Sequence, residues 1–135
     1  MKNSDLAKEW LKRAQSNLAK AKARRSSRAI LYEDLAYDCQ QAAEKSLKAL
    51  LAHRGTEFPK THSINLLLDI VKSKNITIPA VIRQSSVLTE YAVETRYPGD
   101  YEPVKRGEYL KALKLAVAIV GWVEKKMQTT DIFEK

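Results

Sequence analysis

The sequence predicts an all-α protein, an up-and-down bundle of about five helices. Three observations carry this. Ala, Leu, Lys and Glu dominate while Gly and Pro number only 4 each, and those abundant side chains lose little rotamer freedom in a helix. Apolar residues recur at i, i+3, i+4 and i+7 rather than in alternation. The breaks between such runs fall where Gly, Pro and Ser cluster. At 135 residues the chain closes one hydrophobic core and no more, so residues 1–128 read as a single helical domain and 129–135 as a frayed tail.

Ser4 or Asn3 caps a first helix whose Leu6, Trp10, Ala14, Leu18 and Ala21 share one side. It fades into the polar stretch RRSSR. Leu31, Leu35, Cys39, Ala42, Ala43, Leu47, Leu50 and Leu51 then mark a second, long helix, with Gly55 as its stop signal. GTEFPKTH is a connection, because Pro59 cannot continue a helix and pushes Phe58 out of the α region. Ile64, Leu67, Leu68 and Val71 define a short third helix. A fourth begins near Pro79, carries Val81, Ile82, Ser85, Leu88 and Tyr91, and ends near Thr95. The last starts around Arg106 and reaches about Met127, with Tyr109, Leu113, Ala116, Val117, Val120 and Val123 inward. Its middle, LKLAVAIVGWV, is apolar nearly all round, which calls for cover on both faces and points to a homodimer.

Charge and cysteine content narrow the class. Cys39 is the single cysteine, so an intrachain disulfide is ruled out and a reducing, cytoplasmic setting fits. The opening MKNSDLAKEWLKRAQ has no apolar core of a signal peptide, and no run approaches the ~20 apolar residues of a membrane span. The net charge of +8 is concentrated in residues 1–28, which hold nine Lys and Arg against Asp5 and Glu9. Such an excess attracts phosphates, or is simply a solvated helix face. His53 and His62 stand apart with no second ligand at metal spacing, so neither a metal nor a cofactor is expected. His62 fits a place beside the start of the third helix. Phosphate loops and nucleophile motifs are missing.

Two segments remain unusual. DCQQAAEKSLKALLAHRGTEFPKTHSINLLL, residues 38–68, and TRYPGDYEP, residues 95–103, together resemble the signature of HEPN domains, the higher eukaryote and prokaryote nucleotide-binding family. The likeness spans nearly all of residues 4–127. It implies a helical bundle that forms homodimers and is often encoded beside a minimal nucleotidyltransferase as a toxin and antitoxin pair. It also implies metal-independent ribonucleases that use an Arg, four to six intervening residues and a His. Arg96 matches that arginine, whereas the histidine positions hold Tyr101, Glu102 and Pro103. Tyr101, with a reference pKa near ~10, is a poor general base. The set Arg96 for phosphate, Tyr97 and Tyr101 for stacking and Asp100 as an acceptor therefore suits binding a nucleotide or RNA better than cutting it. A ribonuclease using Arg96 with Tyr101, or with His62 brought near in space, is the alternative. A structural interaction domain whose basic first helix docks an acidic protein is another. For the break alone, YPGDY is also ordinary turn chemistry, with Asp100 bonding its own backbone and the tyrosines packed over helix ends.

Overall fold

The computed structural model of the chain describes residues 3–23, 26–92, 97–100 and 102–133, with side chains through 128. Five α-helices and one 3₁₀ helix make up the regular structure of these residues, and no strand occurs among them. They are α1 (Asn3–Lys22), α2 (Tyr32–His53), α3 (Ile64–Lys72), α4 (Ala80–Arg83), the 3₁₀ helix Gln84–Tyr91 and α5 (Arg106–Phe133).

The spine is α2, packed by α1 on one side, α5 on another and α3 with the 3₁₀ helix on a third. Its alanines explain the closeness. Ala36, Ala42, Ala43 and Ala49 are completely buried, and a methyl at each contact lets neighbouring helices approach. The sequence suggests one broad apolar face, yet Asp38, Gln40, Gln41, Glu44, Ser46 and Lys48 are buried as well. Helix α2 ends in a Schellman turn. Gly55, at φ +67, donates its N–H to Ala52 O at 3.0 Å, and Thr56 donates to Leu51 O at 2.9 Å.

Several expected core positions are not buried. Leu6, Val81 and Val117 are exposed, as is Leu31, which is the N-cap of α2 rather than part of its apolar face. In α1, Ala7 and Asn17 are buried instead, which rotates the packed stripe toward small residues that fit against α2. The fourth helix is α-helical for one turn and then tightens to 3₁₀. Its side chains account for the tightening. Ser85 spends its hydroxyl on Ile82 O at 2.5 Å, competing with the regular ladder, and Thr89 turns its hydroxyl to α3. The expected end of this helix near Thr95 lies outside the described residues. Helix α5 does not stop at Met127 but continues to Phe133. No helix of the described residues is long and apolar enough to cross a membrane.

Candidate functional site

Tyr97, Pro98, Gly99 and Asp100 form a tight turn. Asp100 donates its N–H to Tyr97 O at 3.0 Å, and Gly99 at φ +90 takes the position that requires a left-handed residue after Pro98. The turn raises its ends into solvent. Tyr97 is 67% exposed, so it does not pack over a helix end. The carboxylate of Asp100 makes no hydrogen bond or ion pair among the described residues; it is the backbone N–H of Asp100 that closes the turn. Of the four expected contact residues, the turn holds Tyr97 and Asp100 together. Arg96 and Tyr101 lie outside the described residues.

Both flanks of this turn are fastened. Upstream, buried Tyr91 donates its hydroxyl to the Glu108 carboxylate in the first turn of α5. Burial and the neighbouring Glu108 charge push that phenol well above its ordinary pKa. Downstream, Val104 donates its N–H to Glu33 Oε1 at 2.8 Å, which ties the chain to the first turn of α2. Tyr109 then donates to Ala21 O at 2.5 Å and stacks on Tyr32 at 5.5 Å between ring centroids. Tyr91, Val104 and Tyr109 are thus held at the end of the bundle where α1 finishes and α2 and α5 begin. Exposed Lys22, Arg28, Lys105 and Arg106 belong to the element ends and connections there, and so do Asp34, Glu102 and Glu108. The basic excess of α1 is also partly engaged elsewhere, by Arg13 on Glu9 at 3.0 Å and Lys20 on Asp38 at 3.1 Å.

The other signature segment builds a buried polar centre on Glu44, which is 3% exposed. Gln40 Nε2 donates to Glu44 Oε1 at 2.8 Å, and His62 Nδ1 lies 2.8 Å from the same oxygen. Lys48 Nζ holds Glu44 Oε2 at 2.8 Å and sits 5.2 Å from the centroid of the Trp10 ring. Gln41 Nε2 donates to Gln40 Oε1 at 2.7 Å. Burial pushes the Glu44 carboxyl up, but the hydrogen bonds from Lys48, His62 and Gln40 and the Lys48 charge outweigh it, leaving the pKa below the ordinary value. Glu44 is therefore a carboxylate with both oxygens engaged. His62 stands beside the start of α3 as expected, directly before the cap Ser63, which accepts from Leu66 N at 3.1 Å, and its imidazole also reaches across to Glu44 on α2. Sequence reasoning missed this centre. Its signal was the spacing of Gln40, Glu44 and Lys48, polar residues four apart on one face of a helix otherwise reading as core.

A second polar group joins α1 to α2. Lys45 Nζ donates to Asn17 Oδ1 at 2.9 Å, and Asn17 Nδ2 donates to Asp38 Oδ1 at 3.0 Å. Burial, followed by the balance of surrounding charges, lowers the Lys45 pKa. Cys39 lies beside it, fully buried, with its thiol pushed up to about 12 by burial and by the Asp38 charge. A thiol held so far from ionisation is a poor nucleophile.

This helix order, a spine carrying QQAAEK and an exposed YPGD turn before the last helix define a class of small all-helical domains. The chain matches the HEPN domain family over residues 7–126 and belongs to it. Its structure is similar to the crystal structure of TT1696 from Thermus thermophilus, with a TM-score of 0.76 and 34% identity over 89% of this chain and 97% of that one. It is also similar to ST0689, an archaeal HEPN homologue, with a TM-score of 0.72 and 29% identity over 90% of this chain and 97% of that one. No curated protein matches the chain.

Proposed function

We propose that the chain is a nucleotide- or RNA-binding HEPN module that acts beside a minimal nucleotidyltransferase in a toxin and antitoxin type of pair. Its contact set is Arg96, Tyr97, Asp100 and Tyr101. The observation that carries this reading is the mounting of the turn. Tyr97 is 67% exposed and the Asp100 carboxylate makes no bond among the described residues, while the segment on either side is fastened through Tyr91 to Glu108 and through Val104 to Glu33. An exposed ring and an unbonded acceptor on a fastened turn contribute little to folding. They suit a stacked base and a hydrogen-bonded sugar or base edge.

A homodimer belongs to the same reading. Val117 is exposed and Leu110, Leu113 and Trp122 are only half-buried, so α5 carries apolar surface that a second copy would cover. The test of binding is a titration of ATP and of a labelled oligoribonucleotide into wild type and Arg96→Ala, with melting curves alongside. Arg96→Ala is expected to lose about tenfold or more in affinity, the scale of one charge-assisted contact, at unchanged melting temperature. Equal affinity of the two proteins rejects the site.

The ribonuclease reading has one observation in its favour, the Glu44–His62 bond, since an imidazole oriented by a carboxylate is an acid–base group. Release of a 2′,3′-cyclic phosphate from the oligoribonucleotide, abolished in His62→Asn, would establish it in place of simple binding.

A further inference from the structure

We propose that the cavity between the end of α3 and α4 binds a small organic carboxylate with a short aliphatic body, at a site separate from the contact set proposed above. The cavity holds about 680 Å³, within the ~300–1,000 Å³ usual for small-molecule sites. Backbone hydrogen bonds preform its walls. Ser73, Lys74 and Asn75 donate their N–H groups to Asp69 O, Val71 O and Lys72 O at 3.0, 3.0 and 3.1 Å, and Ile82 and Arg83 both donate to Pro79 O at 3.0 Å. Ser73 Oγ donates to Ile70 O at 2.6 Å. The last four carbonyls of α3, whose partial negative charge would oppose an anion, are thereby all engaged.

Arg83, which lines the cavity, supplies the anchor for the carboxylate. Its Nη1 donates to Asn65 Oδ1 at 2.8 Å and to Asp69 Oδ1 at 3.0 Å, two acceptors one turn apart on α3. They fix the guanidinium by one corner. Nε and Nη2 make no hydrogen bond among the described residues, and that pair forms the edge that takes a carboxylate through two parallel bonds. An ion pair between side chains 34% and 58% exposed adds little to stability, so the two acceptors orient Arg83 more than they hold the fold. Lys72, a second lining cation, makes no hydrogen bond or ion pair among the described residues. Lys72 and Arg83 set against Asp69 leave one positive charge, which matches a single carboxylate rather than a phosphate dianion.

The rest of the wall selects the body of the ligand. Buried Ile76, half-buried Ile78 and exposed Ala80 line it, so an aliphatic chain lying there leaves water against branched apolar side chains. No aromatic or acidic side chain stands among the described lining residues. A nucleobase therefore finds no face to stack on, and a carboxylate meets no like charge on the wall. The lining shares no residue with the set Arg96, Tyr97, Asp100 and Tyr101, so the two sites stand or fall separately.

The test is a titration of the full chain, labelled at its isoleucine methyl groups for NMR, with hexanoate, 1-hexanol and acetate. Hexanoate is expected to shift the Ile76 and Ile78 signals to saturation. Hexanol, which lacks the charge, and acetate, which lacks the body, should each bind at least about tenfold more weakly. Arg83→Gln is expected to lose about tenfold in hexanoate affinity, and Ala80→Trp, which sets an indole into the cavity from an exposed position, to abolish binding with Arg83 in place. Melting curves accompany both variants; where Arg83→Gln is destabilised, Ala80→Trp decides alone. The absence of a saturable shift in wild type, equal affinity for hexanoate and hexanol or for hexanoate and acetate, or hexanoate affinity unchanged in a folded variant overturns the site. Each of these results leaves the ATP and oligoribonucleotide titrations untouched.

Discussion

The Glu44 centre and the Tyr97–Asp100 turn carry the same family signature under opposite conditions. Around Glu44, which is 3% exposed, four polar side chains converge on one buried carboxylate and its neighbours, and each has a partner. At the turn, one backbone hydrogen bond closes the loop and the Tyr97 and Asp100 side chains project into water. A buried polar group without partners costs several kcal/mol on the scale of ~2–7, so the buried side chains of Gln40, Glu44 and Lys48 require one another. Among the described residues, nothing comparable constrains the side chains of Tyr97 or Asp100. The same motif therefore contains a part explained by stability and a part that stability leaves unexplained, and the second part is where a ligand is to be sought.

The largest expected effect comes from breaking the interior side of this comparison. Glu44→Leu leaves Lys48 buried with no opposite charge and strips the acceptor from Gln40 and His62. The expected loss is about 3–5 kcal/mol, read from urea unfolding. Glu44→Leu combined with Lys48→Met should recover a good part of it, because two apolar side chains of similar volume do not carry the cost of an unpaired charge. A double variant no more stable than Glu44→Leu would mean that the centre is held by its amides and imidazole instead.

Acid acts on the same centre. The folded-state pKa of Glu44 is below its ordinary value of 4.5. Between the two values the unfolded chain binds more protons than the folded one, so stability rises with pH there. The contribution of Glu44 is fully present above about pH 4.5 and is lost as pH falls through the lowered folded value. Urea midpoints measured from pH 6 to pH 3 should therefore drop in wild type below about pH 4.5, and drop less steeply in Glu44→Gln.

How much of this was legible follows the same division. Periodicity placed α1, α2, α3 and α5, because α1, α3 and α5 each pack apolar residues on α2, and Gly55 marked the end of α2 through a backbone angle that only glycine adopts easily. Val81 and Val117 were misplaced inward because a stripe drawn from hydrophobicity alone ignores which neighbour is near. The 3₁₀ tightening depends on where the Ser85 and Thr89 hydroxyls find acceptors and donors, which is a tertiary matter. At the site, Tyr97 and Asp100 were legible as turn residues, and their role as contact residues is part of the proposed function. The reach of His62 to Glu44 was not, since it joins positions eighteen apart in sequence through a loop whose path the sequence does not state.

Gly55 gives a smaller and purely local effect. A Cβ at φ +67 would meet Asn3 Nδ2 at 3.2 Å, and the left-handed conformation itself disfavours any other residue by about 1–2 kcal/mol. Gly55→Ala is expected to destabilise by about that amount without touching ligand affinity. Differential scanning calorimetry and the ATP titration, run on the same preparation, check both halves.

The smallest effect on stability, and the sharpest use of the comparison, is Tyr97→Ala. The side chain is 67% exposed and makes no hydrogen bond or ring contact among the described residues, so its removal should change unfolding free energy by no more than about 0.5 kcal/mol. The turn itself stays, because Pro98, Gly99 and the Asp100 N–H to Tyr97 O bond do not depend on the ring. If the ring stacks a base, affinity for an oligoribonucleotide falls by about 1–3 kcal/mol, and Tyr97→Phe, which keeps the aromatic face, retains most of it. Inorganic triphosphate offers no base to stack, so its affinity should be the same for wild type and Tyr97→Ala. A loss for triphosphate equal to the loss for oligoribonucleotide would show that the turn had shifted and carried Arg96 with it. A loss of stability well above about 0.5 kcal/mol would place Tyr97 with Glu44, on the structural side of the motif.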